Sequence, residues 1–137
     1  MGGVVLTMSK VVLVARLLLG FMFFVFGLNG ILHFLPTPAM PPGDAGTWST
    51  IMMQHRWMTF VAVLQVVGGL LLLVGRYVPL GLVILAPILV NVLLFHFLLM
   101  GGAGVVPGLV AALLELFLIW VYRLSFRGLF DASPEIA

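Results

Sequence analysis

Cysteine is absent from the 137-residue chain. This excludes a disulfide framework, a thiolate metal site and the dithiol exchange by which some four-helix membrane enzymes pass electrons to quinones. Any redox role must therefore use a bound cofactor or a partner. Charge is nearly as scarce, at 7% of residues against 64% hydrophobic, with a mean hydropathy of +1.33. That leaves too little polar surface to coat a soluble domain, so the sequence reads as an integral membrane protein whose first partner is the lipid bilayer. Six Lys and Arg against four Asp and Glu give a formal charge of +2. The basic residues are scattered, without the run or stripe that nucleic-acid binding needs, and nucleic acid is not an expected partner.

What the chain has is apolar length. A hydrocarbon core of about 30 Å takes roughly 20 apolar residues in helical form, and four stretches qualify: residues 11–35, 57–74, 78–100 and 105–122. They fill most of the chain and predict an all-α membrane protein, a single domain over residues 1–137 built as a four-transmembrane-helix bundle. The first stretch is too long for a secretory h-region, and no small-x-small cleavage site follows it, so it is read as retained.

Lys and Arg near span ends favour the cytoplasmic side. Placing the N-terminus inside puts Lys10, Arg16, Arg76, Arg123 and Arg127 there and leaves Arg56 outside. The expected topology is therefore N-in/C-in and multi-pass, with a cytoplasmic tail over 124–137 whose last residues, 131–137, are frayed. The segments Gly75-Arg76-Tyr77 and Gly101-Gly102-Ala103-Gly104 can join only antiparallel neighbours. The external loop 36–56 is longer. Prolines 36, 38, 41 and 42 forbid a helix at its start, whereas its later part fits a short amphipathic helix anchored by Trp48 and Trp57 that caps the bundle.

Six polar side chains interrupt the apolar spans, and all count out to the outer half of the bilayer. Polar groups there are costly and serve a site or a helix contact. At 1.5 Å per residue, Gln65 lies roughly 12 Å, Glu115 roughly 15 Å and Asn91 roughly 10 Å below the outer surface, with Asn29, His33 and His96 roughly 5 to 8 Å deep. Glu115 shares a small-residue face with Gly108, Ala111 and Ala112, and Gln65 shares one with Ala62, Gly68 and Gly69, so both point inward. Asn29 and His33 form an i, i+4 pair. Asn91 follows Pro87 by four residues, where a kink is expected. His96 is about 140° around the helix from Asn91 and ranks last.

The candidate ligand-binding set is thus Asn29, His33, Gln65, Asn91 and Glu115, then His96. Each also has a structural reading: interhelical hydrogen bonds for Asn29, Gln65 and Asn91, and snorkelling to the interface for His33 and His96. An ionised carboxylate at the depth of Glu115 is expensive, so a donor such as His33 or Gln65, or a proton, has to accompany it. Arg16 either snorkels to headgroups or reaches into the bundle. No catalytic residue is assigned. His33, His96 and Glu115 lack a close metal-binding spacing, and haem is disfavoured by the phase of His96.

These residues also carry a family resemblance. The run Ala15-Arg16-Leu17-Leu18-Leu19-Gly20, continuing through Phe23, Gly27, Asn29 and Gly30, resembles the first helix of DoxX-like membrane proteins. Val66-Val67-Gly68-Gly69-Leu70-Leu71-Leu72 with Gly75 and Pro79 is similar to their second helix and turn. Pro87-Ile88, Asn91, Phe95-His96, Leu114-Glu115-Leu116, Trp120 and Tyr122-Arg123 extend the likeness over nearly the whole chain. Members often carry Glu where Gln65 stands, and an amide cannot titrate, so a family role needing a carboxylate there would fall to Glu115. The resemblance implies a small inner-membrane protein. Some members resemble the membrane subunit of a thiosulfate:quinone oxidoreductase, others associate with redox-stress enzymes, and a distant animal relative assists receptor assembly.

The functional expectation is a non-catalytic subunit, more a binding protein than an enzyme by itself, that holds a quinone or other amphiphile in an outer-half polar pocket for a membrane redox partner. An assembly factor or scaffold, acting with partners or as a homo-oligomer, is the alternative. A small transporter or proton relay is a further one, although the inverted repeats and paired broken helices usual in transporters are missing.

Overall fold

A computed structural model describes all 137 residues. The chain is entirely helical, in the order α1 (Gly2–Leu32), α2 (Gly43–Gln54), α3 (Trp57–Val74), α4 (Val78–Leu94), a π-helical turn (Phe95–Leu99), α5 (Val106–Val121) and a 3₁₀ segment (Arg123–Phe130). Three helices are long and apolar enough to cross a membrane: α1, α3, and α4 together with its π-turn. Helix α5 passes as a fourth span when joined to the 3₁₀ segment, from which it is bent by 79°. Side chains such as Phe21, Phe60, Val90, Leu113 and Leu116 are exposed on the outer faces. The interior is Leu19, Leu72, Leu82, Leu85 and Leu118 with small residues between them. A bundle apolar on both its inside and its outside is solvated by lipid.

The four long helices pack in chain order, α1 on α3, α3 on α4, α4 on α5, and α5 back on α1, closing a ring. The α1–α3 contact is the tightest, because glycines let the backbones touch. A Cβ on Gly69 would lie 2.6 Å from the Phe24 nitrogen and 2.7 Å from the Gly20 oxygen, and one on Gly27 would lie 2.8 Å from the Ala62 oxygen. Small residues at a helix interface replace the hydrophobic drive that lipid removes.

Helix boundaries differ from the sequence reading where a membrane limit had been equated with a helix limit. Helix α1 begins at Gly2 rather than Val11, since nothing in residues 2–10 breaks the winding, and the Thr7 hydroxyl donates back to the Gly3 carbonyl at 2.8 Å. It ends at Leu32 rather than Leu35. His33 adopts the left-handed conformation (φ 53°) with its N–H on the Asn29 carbonyl, and the Asn29 Oδ1 accepts the Leu35 N–H at 2.8 Å.

The α3 limits match the sequence reading, and α5 is shorter than its expected span by one residue at each end. The span expected over 78–100 runs as α-helix to Leu94 and then changes winding in the π-turn, seen in the Met100 N–H bonding to the Phe95 carbonyl. The loop 36–56 holds α2, whose Trp48 ring lies 5.1 Å from that of Phe95. This is the short capping helix that the prolines and tryptophans predicted. The tail from residue 124 begins within the bent 3₁₀ segment, to which the sequence reading assigned no structure, and no helix follows Phe130.

Candidate functional site

The structure sorts the six candidate side chains into separate places. Gln65 on α3 and His96 on the π-turn line one half-open cavity of about 340 Å³. Its apolar wall comes from Met22, Phe23 and Phe26 of α1 and Leu89 and Val92 of α4. Gly104, Pro107, Gly108 and Ala111 form the α5 side, where missing side-chain volume leaves the space. The cavity exists because α4, α5 and the middle of α1 enclose it while α3 presents its one amide.

His96 is held firmly. Its Nδ1 lies 2.8 Å from the Val92 carbonyl oxygen. A carbonyl only accepts, so Nδ1 carries the hydrogen and the Nε2 of a neutral ring is left as an acceptor. The Phe95 ring meets the imidazole edge-on at 5.3 Å, and Phe95 in turn carries Trp48 of α2. A Cβ on Gly104 would lie 3.6 Å from Nε2, so the turn before α5 approaches that edge of the ring. His96 follows Leu89 and Val92 at helical spacing and continues the α4 face that lines the cavity, while Asn91 lies on another face.

The other candidates do not line this cavity. Asn29 is half-buried and spends its Oδ1 on the α1 terminus. His33 is exposed at that terminus, so Asn29 and His33 act as a local cap. Asn91 donates from Nδ2 to the Pro87 carbonyl at 2.9 Å, is exposed, and borders a separate niche beside Trp48 and Leu98. The expected meeting of all the polar groups at one point is thus not formed: two share a cavity and the rest are dispersed.

Glu115 is the one buried polar or charged residue, at 3% exposure. Neither carboxyl oxygen has a hydrogen-bond partner, so neither His33 nor Gln65 holds it. It lies one turn beyond Ala111, a cavity-lining residue, on the same face of α5. No three His, Asp or Glu side chains come together at metal-binding range. Arg16 reaches across to α3. A Cβ on Gly75, the left-handed C-cap of α3, would lie 2.6 Å from its Nη1, and the Arg16 Nε is buried without a partner. A guanidinium at that helix terminus complements the negative end of the dipole. Arg16 thus packs its guanidinium against the C-terminus of α3.

A family model described as DoxX matches residues 11–98. A protein of Bacillus subtilis strain 168, described as the uncharacterized protein YwoB, is 29% identical over 126 residues, covering 87% of this chain and 81% of that protein. No solved structure matches the chain.

Proposed function

The chain belongs to the DoxX family, and from that premise we propose that it is a non-catalytic inner-membrane subunit, with both termini cytoplasmic, that holds a quinone or similar amphiphile for a redox partner. The observation that supports this reading is the cavity that joins an apolar wall to the two polar side chains Gln65 and His96. Its volume falls within the range of about 300–1,000 Å³ usual for small-molecule sites, and apolar lining with a few placed polar groups is the common form of such sites.

The donor set suits both oxidation states of a quinone. The Gln65 amide can donate to a quinone carbonyl, which only accepts, and the His96 Nε2 can accept from a quinol hydroxyl. The half-open side gives an isoprenoid tail a way into the surrounding lipid. Glu115 lies one turn below and is assigned no contact with the head group.

Native mass spectrometry of the protein extracted in mild detergent tests the reading. The wild type is expected to retain a quinone, or to bind added menaquinone or ubiquinone, and a Gln65→Leu, His96→Phe double variant to lose it while keeping its melting temperature within a few degrees. A wild type that neither retains nor binds either quinone would sink the proposal, and so would a double variant that binds as before. The scaffold alternative is separated in the same spectra, as stoichiometric protein partners or copies in place of a small-molecule adduct.

A further inference from the structure

The end of α5 carries a feature the ligand cavity does not use. At Tyr122 the helix gives way to the 3₁₀ segment Arg123–Phe130, which turns by 79°. A span that bends so sharply directs its continuation along the membrane surface, where short basic and apolar segments lie with their apolar side chains in the acyl boundary. This segment contains Arg123 and Arg127, and its Leu124, Leu129 and Phe130 are exposed.

Arg123 is fixed in place. Its Nη1 donates to the Trp120 carbonyl at 2.8 Å, and its Cζ lies 4.8 Å from the centroid of the Trp120 ring. One hydrogen bond leaves four of the five guanidinium donors unused by it. Beside it runs an apolar groove of about 240 Å³ between α4 and the bent segment, lined by Leu82, Val83, Ala86, Phe126 and Leu129, with Arg123 as its one charged residue. Asp131, four residues beyond Arg127, accepts the Ser133 N–H on its Oδ1 at 3.0 Å.

A held guanidinium at the rim of an apolar groove is complementary to one kind of lipid, and Arg127, outside the groove lining, adds a second positive charge to the same segment. We infer that this groove holds an acyl chain of an anionic phospholipid whose phosphate is bound by Arg123, with Arg127 adding to the positive potential of the segment. The ligand differs from that of the Gln65–His96 cavity, and the inference stands whether or not that cavity holds a quinone.

The test is native mass spectrometry of the full chain in detergent containing equimolar phosphatidylglycerol and phosphatidylcholine with identical acyl chains. The wild type is expected to retain phosphatidylglycerol in preference. Each arginine contributes about fivefold, the factor corresponding to the ~1 kcal/mol that one cation gains near an anionic surface. Arg123→Gln with Arg127→Gln should bring the ratio to near one, while Arg76→Gln, which removes a cation elsewhere, should leave it unchanged. Ala86→Phe, filling the groove, should lower retention of both lipids. Equal retention by the wild type, a preference that survives the double variant, a preference lost with Arg76 instead, or unchanged retention in Ala86→Phe would each overturn the inference.

Discussion

Glu115 is the costliest residue in the molecule, a carboxyl group inside the bundle with no partner for either oxygen. Replacing a buried group that makes no hydrogen bond by an apolar one of similar volume removes a desolvation penalty of about 1–3 kcal/mol and forfeits nothing in return. Glu115→Leu is therefore expected to raise the melting temperature in detergent by several degrees, and Glu115→Lys to lower it sharply. A clear fall for Glu115→Leu would show that the carboxyl group makes an interaction absent from this structure. The burial of Glu115 was legible in the sequence, because Gly108, Ala111 and Glu115 recur at helical spacing. Its isolation was not. Whether His33 could reach it depended on where α1 stops, and that is decided by the Asn29 Oδ1 accepting the Leu35 N–H. The angular separation of Asn91 and His96 counted along the helix is kept, since the two border different niches; what the count left open was which of the two faces the bundle closes over.

Helix pairs tell a similar story one level up. Glycines along a span serve either internal packing or a contact between subunits. The structure places Gly20, Gly27 and Gly30 against α3, where a Cβ on each would come within 3.0 Å of another atom. Since the α1–α3 seam is backbone on backbone at Gly69, adding one methyl group there cannot be absorbed by a side-chain rotation. Gly69→Ala is expected to destabilise the protein by about 1–3 kcal/mol, the usual cost of overpacking a close contact. Gly3→Ala, where a Cβ meets nothing within 4 Å, serves as the control and should be neutral. Equal melting curves for the two variants would mean that the α1–α3 backbones do not touch at Gly69. The span centres and the α2 cap were readable from apolar length, proline and tryptophan. The extra turns of α1 and the bent 3₁₀ segment were not, because both lie outside the apolar windows by which spans are recognised.

At the scale of the whole molecule, the unsettled quantity is its direction in the membrane. Consecutive spans alternate in direction, and with α5 counted as the fourth the chain's two ends lie on the same side. Which side depends on five basic residues near one end of the bundle against Arg56 near the other, and that bias favours the cytoplasm. The absence of cysteine makes the question unusually clean to test, since a single introduced thiol is the only one present. Ala39 in the first loop, Ala103 in the glycine turn, and Ser9 and Ser133 toward the two ends are all exposed, so cysteine at any of them disturbs no packing. In intact bacterial cells or spheroplasts, a membrane-impermeant maleimide is expected to label Ala39→Cys and Ala103→Cys at once. Ser9→Cys and Ser133→Cys should label only after permeabilisation. The reverse pattern would invert the topology and place the Gln65–His96 cavity in the inner half of the bilayer. Labelling of one terminus but not the other in intact cells would mean that α5 does not cross, leaving the three spans that qualify without the bent segment.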